Sequence, residues 1–312
     1  ASTSYKSIFF TTLTSSFTIP KKMITKQIFT LLCVVFSLFC SESVQNIISG
    51  LGILSFGILH GANDLKILSK KKLKNNSFLG LSFLVIYLGV VFLGIMIFYF
   101  IPGIALLTFV IVSCYHFGEQ HWQDKLDYIK QPLLFYTFYG ATIFLLLFTF
   151  HNSEVEDIIF EISSVRIPFR IFKISLISIG GVLLIFMLIK IKDFKLFLIE
   201  MILLVILSLL FWKGSLLFGF GLYFVFWHSI PSLNSQIKYL YGVKEHSPFK
   251  RYFKSAFLYW ILALIIMVSS YFFGSLPKDQ YLSIFFSFLA AITFPHVVVM
   301  GLMFHSHNHH SN

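Results

Sequence analysis

Four histidines lie inside apolar segments of the chain: His60 in LGILSFGILHGAND, His116 in TFVIVSCYHFGEQ, His228 in FGLYFVFWHSIPS and His296 in LAAITFPHVVVMG. An ionisable side chain within a membrane span is costly, so each marks a candidate functional site. No matching set of carboxylates lies in the spans, which favours a metal site over a proton relay. Imidazole suits zinc, copper, iron and nickel. Without a thiolate or a clear carboxylate ligand, the set is a poor match to structural zinc. Four neutral ligands leave a divalent iron its full charge and, in octahedral geometry, two open positions for dioxygen and a substrate. The candidate metal is therefore an oxygen-activating Fe(2+), bound by His60, His116, His228 and His296.

The residues around these histidines suggest their support. Asp64 follows His60 by four, on the same face of a continuous helix, where it can fix the imidazole tautomer. The alternative for Asp64 is a polar helix end. Glu119 follows His116 by three and can act in the same way. His121, nearer the surface, is an alternative ligand. Tyr115, Phe117, Phe226 and Trp227 adjoin the histidines and are candidate substrate walls. Neighbours along a helix face different ways, so only some of them can line one cavity. Gly57 and Gly61 allow the close helix approach that a convergent site needs. His305, His307, His309 and His310 form the tail HSHNHH, read as a solvated end, and His151 and His246 are read as exposed loop residues.

The elements that must carry these residues are membrane spans. Of 312 residues, 57% are hydrophobic and 12% charged, far from a soluble domain. The fold class is all-α, a polytopic transmembrane helical bundle of about ten spans, at 26–41, 45–63, 77–101, 103–119, 131–150, 169–189, 195–212, 214–237, 254–274 and 280–304. Residues 1–22, rich in Ser and Thr, read as an N-terminal extension outside the fold, and 23–312 as one transmembrane domain. The net charge of +11 fits Lys- and Arg-rich cytoplasmic loops rather than a nucleic-acid partner. Most basic residues fall on one side if both termini are cytoplasmic, while Glu154, Glu156, Asp157 and Glu161 fall on the other. The expected location is the cell inner (plasma) membrane. The three cysteines imply no disulfide framework, and the 40 phenylalanines are as consistent with an AT-rich gene as with an aromatic cavity.

This layout places the four histidines on spans two, four, eight and ten, all running toward the same side. Each precedes a polar landmark (Lys66, Asp124, Lys238 or His305) by roughly 10–15 Å of helix rise. Four histidines at one depth on co-directional helices can converge on one point.

The strings HGAND at 60–64, CYHFGEQ at 114–120, FWHSIPS at 226–232 and FPHVVV at 294–299 resemble the Brp/Blh-type family of membrane beta-carotene 15,15'-dioxygenases, over most of 45–304. The resemblance implies a helical membrane enzyme with histidine-bound ferrous iron that splits beta-carotene with O2 into two retinals. Retinal would then pass to a microbial rhodopsin. It carries His60, His116 and His228 over as iron ligands and matches His296 to a PH motif near the C-terminus. The chain departs from the pattern at Ser232, where the family has a second histidine one turn after the WH pair. Pro231 is expected to break the helix there, so either His296 or His121 completes the set or the site has three histidines and an extra water.

A lipid-dissolved polyene needs no acid or base from the protein, only placement beside the metal. Three rival readings follow from the same residues: a divalent-metal transporter, which needs a polar path to the outer face; a diiron enzyme, which needs about twice as many histidines; and a carotenoid or retinal carrier without catalysis.

Overall fold

The computed structural model describes residues 21–72, 77–126, 132–242, 247–273 and 281–308. The 1–22 extension lies outside the described residues except for Lys21 and Lys22, as do His246, His309 and His310. All regular structure among the described residues is helical. The helices are α1 (Lys21–Phe39), α2 (Glu42–Gly52), α3 (Asp64–Lys72), α4 (Ser77–Phe100), α5 (Pro102–Trp122), α6 (Leu133–Phe150), α7 (Asn152–Ser163), α8 (Phe169–Lys190), α9 (Phe194–Lys213), α10 (Leu216–Leu222), α11 (Ile230–Tyr241), α12 (Pro248–Phe273) and α13 (Tyr281–Asn308). A π-helical turn, Ile53–Gly57, follows α2, and a second, Tyr223–Ser229, joins α10 to α11.

Seven stretches among the described residues are long and apolar enough to cross a membrane: α5, α6, α8, α9, Leu216–Tyr241, Pro248–Ser269 and Phe285–Phe304. Met23–Phe39 and Leu84–Phe100 are shorter apolar helices. The expected span at 45–63 is α2 with its π turn, which ends in a turn at His60. The acidic 152–163 segment, which falls between two expected spans, is helix α7. Its left-handed end at Ser164 (φ 58°) turns Arg166 back toward Glu156 at 3.4 Å.

Helices in lipid gain nothing from hydrophobic association with one another. Close packing and interhelical hydrogen bonds hold them together. A Cβ on Gly118 would run into the backbone of Tyr136, and one on Gly140 into the backbone of Cys114, so α5 and α6 meet backbone to backbone. Buried polar side chains tie the first helices to α9 and α10. Gln27 donates to the Ile199 carbonyl at 2.7 Å, Ser49 to the Leu217 carbonyl at 2.6 Å, and Gln45 accepts from the Ser215 N–H at 2.9 Å.

Pro231 does not break its helix. Leu216–Tyr241 runs on as one apolar stretch through the second π turn. A proline ring in an α-helix collides with the carbonyl four residues earlier, and the wider π turn just before Pro231 relieves that collision. Ser229 within the turn donates to the Phe224 carbonyl at 2.8 Å.

Candidate metal centre

The two π turns pack against each other, and each delivers a histidine. His228 lies inside the second turn, and His60 lies three residues past the first. π turns insert an extra residue into the helical repeat and recur at functional sites because they re-aim side chains. The contact is tight, since a Cβ on Gly57 would come within 2.7 Å of the Phe224 ring. Gly61 is less constrained: a Cβ there would sit 3.6 Å from His296 Nδ1, an ordinary contact. α5 brings His116 through its crossing with α6, and α13 brings His296 one residue after Pro295.

The four rings converge. His60 and His296 have ring centroids 4.7 Å apart, His60 and His228 5.2 Å, His116 and His228 4.7 Å, and His116 and His296 5.3 Å. All four are at most 5% exposed. The tightest set is His60, His228 and His296, one ring nitrogen from each lying within 4.8 Å of the others. His116 closes the fourth side. The motif reading left His296 as the least secure of the four, and the structure places its ring beside His60 and His116.

His60 Nδ1 donates to the Gly57 carbonyl at 2.5 Å. A carbonyl can only accept, so Nδ1 carries the proton and Nε2 presents its lone pair. His296 Nδ1 bonds both oxygens of Asp64, at 2.9 and 3.1 Å, which fixes the same tautomer. The Nε2 atoms of His60 and His296, Nδ1 of His228 and both nitrogens of His116 are buried with no partner. Buried polar atoms without partners are uncommon and call for an explanation. A cation held by the grouped nitrogens of His60, His228 and His296, with His116 beside them, supplies one, and the all-nitrogen donor set suits a transition metal. The residues present therefore fit a bound metal.

The supporting residues differ in detail from the sequence reading. Asp64 serves His296 rather than His60, because the chain leaves the helix at 60–63 and the i, i+4 alignment is lost. Tyr87 also donates to Asp64, at 3.3 Å. Glu119 Oε2 is 3.8 Å from His116 Nδ1, beyond hydrogen-bond reach, while Oε1 accepts from Tyr115 at 2.5 Å.

His121 stands apart from the four. It meets Glu200 Oε2 at 2.8 Å, with Lys125 on Glu200 Oε1 at 2.7 Å and Tyr139 donating to the same carboxylate at 3.2 Å. Glu200, which the sequence left without a role, anchors this buried cluster between α5, α6 and α9. His121→Ala should lower stability by about 1–3 kcal/mol through the lost hydrogen bonds and leave metal content unchanged. Metal analysis beside a thermal melt checks both, and loss of metal would place His121 in the centre.

Ser232 is fully buried one turn after His228, with its hydroxyl 4.0 Å from the sulfur of Met300, one turn after His296. It accepts from Gln236 at 3.1 Å, Gln236 accepts from Tyr252 at 2.7 Å, and Tyr252 also reaches the His60 carbonyl at 3.1 Å. This chain of hydrogen bonds braces the backbone of His60 from behind.

The histidines line a cavity of about 360 Å³. It runs between α5, α10 and α13 past Phe109, Phe220 and Phe288, and reaches the protein surface between α4 and α12 at Leu88, Leu262 and Ile266. Of the four expected walls, the structure brings only Phe117 to this cavity, stacked on His228 at 4.3 Å. Tyr115 turns to Glu119, Phe226 packs on Phe29, and Trp227 donates to Thr30 at 3.0 Å. Phe224 was missed from sequence. It packs against both His60 and His228 at 5.7 Å, and its four-residue spacing from His228 was the available signal.

The sequence model of a family described as Beta-carotene 15,15'-dioxygenase matches residues 51–304. No curated protein and no solved structure matches the chain.

Proposed function

The chain belongs to the beta-carotene 15,15'-dioxygenase family, and on that premise we propose that it splits the central double bond of beta-carotene with dioxygen, giving two molecules of retinal, at ferrous iron held by His60, His116, His228 and His296. The observation that carries this reading is the convergence of four buried imidazoles, each with an unpartnered ring nitrogen, on an apolar cavity that reaches the protein surface. Bound iron would supply the activation of dioxygen. Both oxygen atoms end in the two aldehydes and no proton changes hands, so the site needs no general acid or base.

The protein's own residues then bind, orient and exclude water. Leu88, Leu262 and Ile266 form an apolar mouth through which a lipid-dissolved polyene can enter. Phe117 stacks on the His228 ring, Phe224 packs beside both, and together they offer flat walls to a conjugated chain. Asp64 and the Gly57 carbonyl keep the protons of His296 and His60 on Nδ1. A metal-transport path would need polar walls beyond the histidines, whereas the cavity continues with Phe109, Phe220 and Phe288.

Purified, iron-loaded protein given beta-carotene under oxygen should yield close to two retinals per carotene consumed. Well-folded protein with full iron that makes no retinal defeats the reading. Asp64→Asn should lower iron affinity about 10–100-fold, as expected when the partner that orients a ligand histidine is weakened. Iron titration of the metal-free variant measures it, and unchanged affinity would remove Asp64 from that role.

A further inference from the structure

A second cavity, of about 590 Å³, lies under α7 and between α5, α6 and α8. None of the four histidines lines it. It shares three side chains with the histidine cavity: Phe109, Phe144 and Phe220. No charged residue lines it, and apart from Ser163 and Ser175 its side chains are aliphatic or aromatic.

A column of rings joins the two spaces. His228, Phe224 and Phe220 recur at four-residue steps along one helix face. His228 and Phe224 stack at 5.7 Å with planes 18° apart, and Phe224 and Phe220 at 5.4 Å with planes 9° apart. Phe220 then meets Phe286 edge-on at 5.2 Å, and Phe286 lines the second cavity. A small void of about 10 Å³, bordered by Phe117, Phe144 and Phe220, adjoins the partition.

Central cleavage sets a spatial demand. A long polyene with a ring at each end must place one half on either side of the iron. The histidine cavity, at about 360 Å³, is near the lower end of ligand sites, which run from about 300 to 1,000 Å³. It can hold the half that points back to the mouth at Leu262 and Ile266. The other half needs a compartment that is apolar, ring-lined and continuous with the iron.

We propose that the second cavity receives this far, ring-capped half of the substrate, reached past Phe109, Phe144 and Phe220, and that its depth sets which double bond lies beside the iron. The proposal rests on the functional reading above and adds the compartment that fixes the register.

The test uses metal-free protein, so that binding is read without turnover. Binding is followed by the visible circular dichroism induced in beta-carotene and in beta-apo-8'-carotenal, which lacks one ring and part of one arm. Ile159→Trp on α7 and Ser175→Trp on α8 fill the second cavity without touching the histidines. Each should weaken beta-carotene binding about tenfold or more while leaving the shorter ligand within about twofold. With iron restored, kcat/KM should separate the two substrates in the same ratio. Unchanged beta-carotene binding in both variants, as expected if the cavity holds only a bilayer lipid, overturns the proposal. So does an equal loss for both ligands. If iron-loaded wild-type protein binds beta-carotene but makes no retinal, the functional reading fails while the binding contrast still decides the cavity.

Discussion

His60→Ala is expected to leave protein that folds, binds almost no iron and makes no detectable retinal. His60 belongs to the tightest ring set, its proton is held by the Gly57 carbonyl, and its Nε2 has no other partner. Removing it should lower iron affinity on the order of a thousandfold, about 4 kcal/mol. The metal-free fold should lose only about 1–3 kcal/mol, through the Nδ1–Gly57 hydrogen bond and the packing of the ring. Iron content and a melt of the metal-free protein read these two effects separately. Full iron in His60→Ala would sink the ligand assignment. His121→Ala is the matched control, since it removes a buried histidine from the same bundle without touching the centre.

Gly118→Leu is expected to give the largest loss of stability. Its Cβ would collide with the backbone of Tyr136, and a backbone cannot step aside as a flexible side chain can. The α5–α6 crossing would have to open, at a cost of at least about 3 kcal/mol. His116, two residues away, would move with it. Gly181→Leu on α8 is the comparison, because a Cβ there meets nothing within 4 Å. Size-exclusion profiles and melting temperatures in detergent should separate the two variants widely. A monodisperse Gly118→Leu that melts with Gly181→Leu would show that the crossing is looser than described.

Much of the centre was legible because the bilayer makes polar residues conspicuous. His60, His116, His228 and His296 stand out from apolar spans, and their common distance from polar helix ends implied that they could meet. The partners of Asp64 and His121 were not legible. Asp64 depends on the turn at 60–63, and His121 depends on a carboxylate 79 residues away on α9. The glycine pair that binds α5 to α6 was also hidden. Gly118 and Gly140 read as ordinary membrane-helix glycines until their backbones are seen in contact.

The sequence alone determined the class of the protein: an all-helical membrane chain with four histidines at a shared depth, carried by short motifs in a fixed order. Hydropathy and helical rise suffice for that, since both are one-dimensional. Only the tertiary structure decided which face each side chain shows. Two π turns change the helical phase just where His60 and His228 must aim inward, and Pro231 is accommodated by the second of them rather than ending its helix. Tyr115, Phe226 and Trp227 accordingly turn away from the cavity while Phe117 and Phe224 face it. Phase accumulates along a helix, so one inserted residue re-aims everything after it, and periodicity read from sequence does not reveal where that insertion falls.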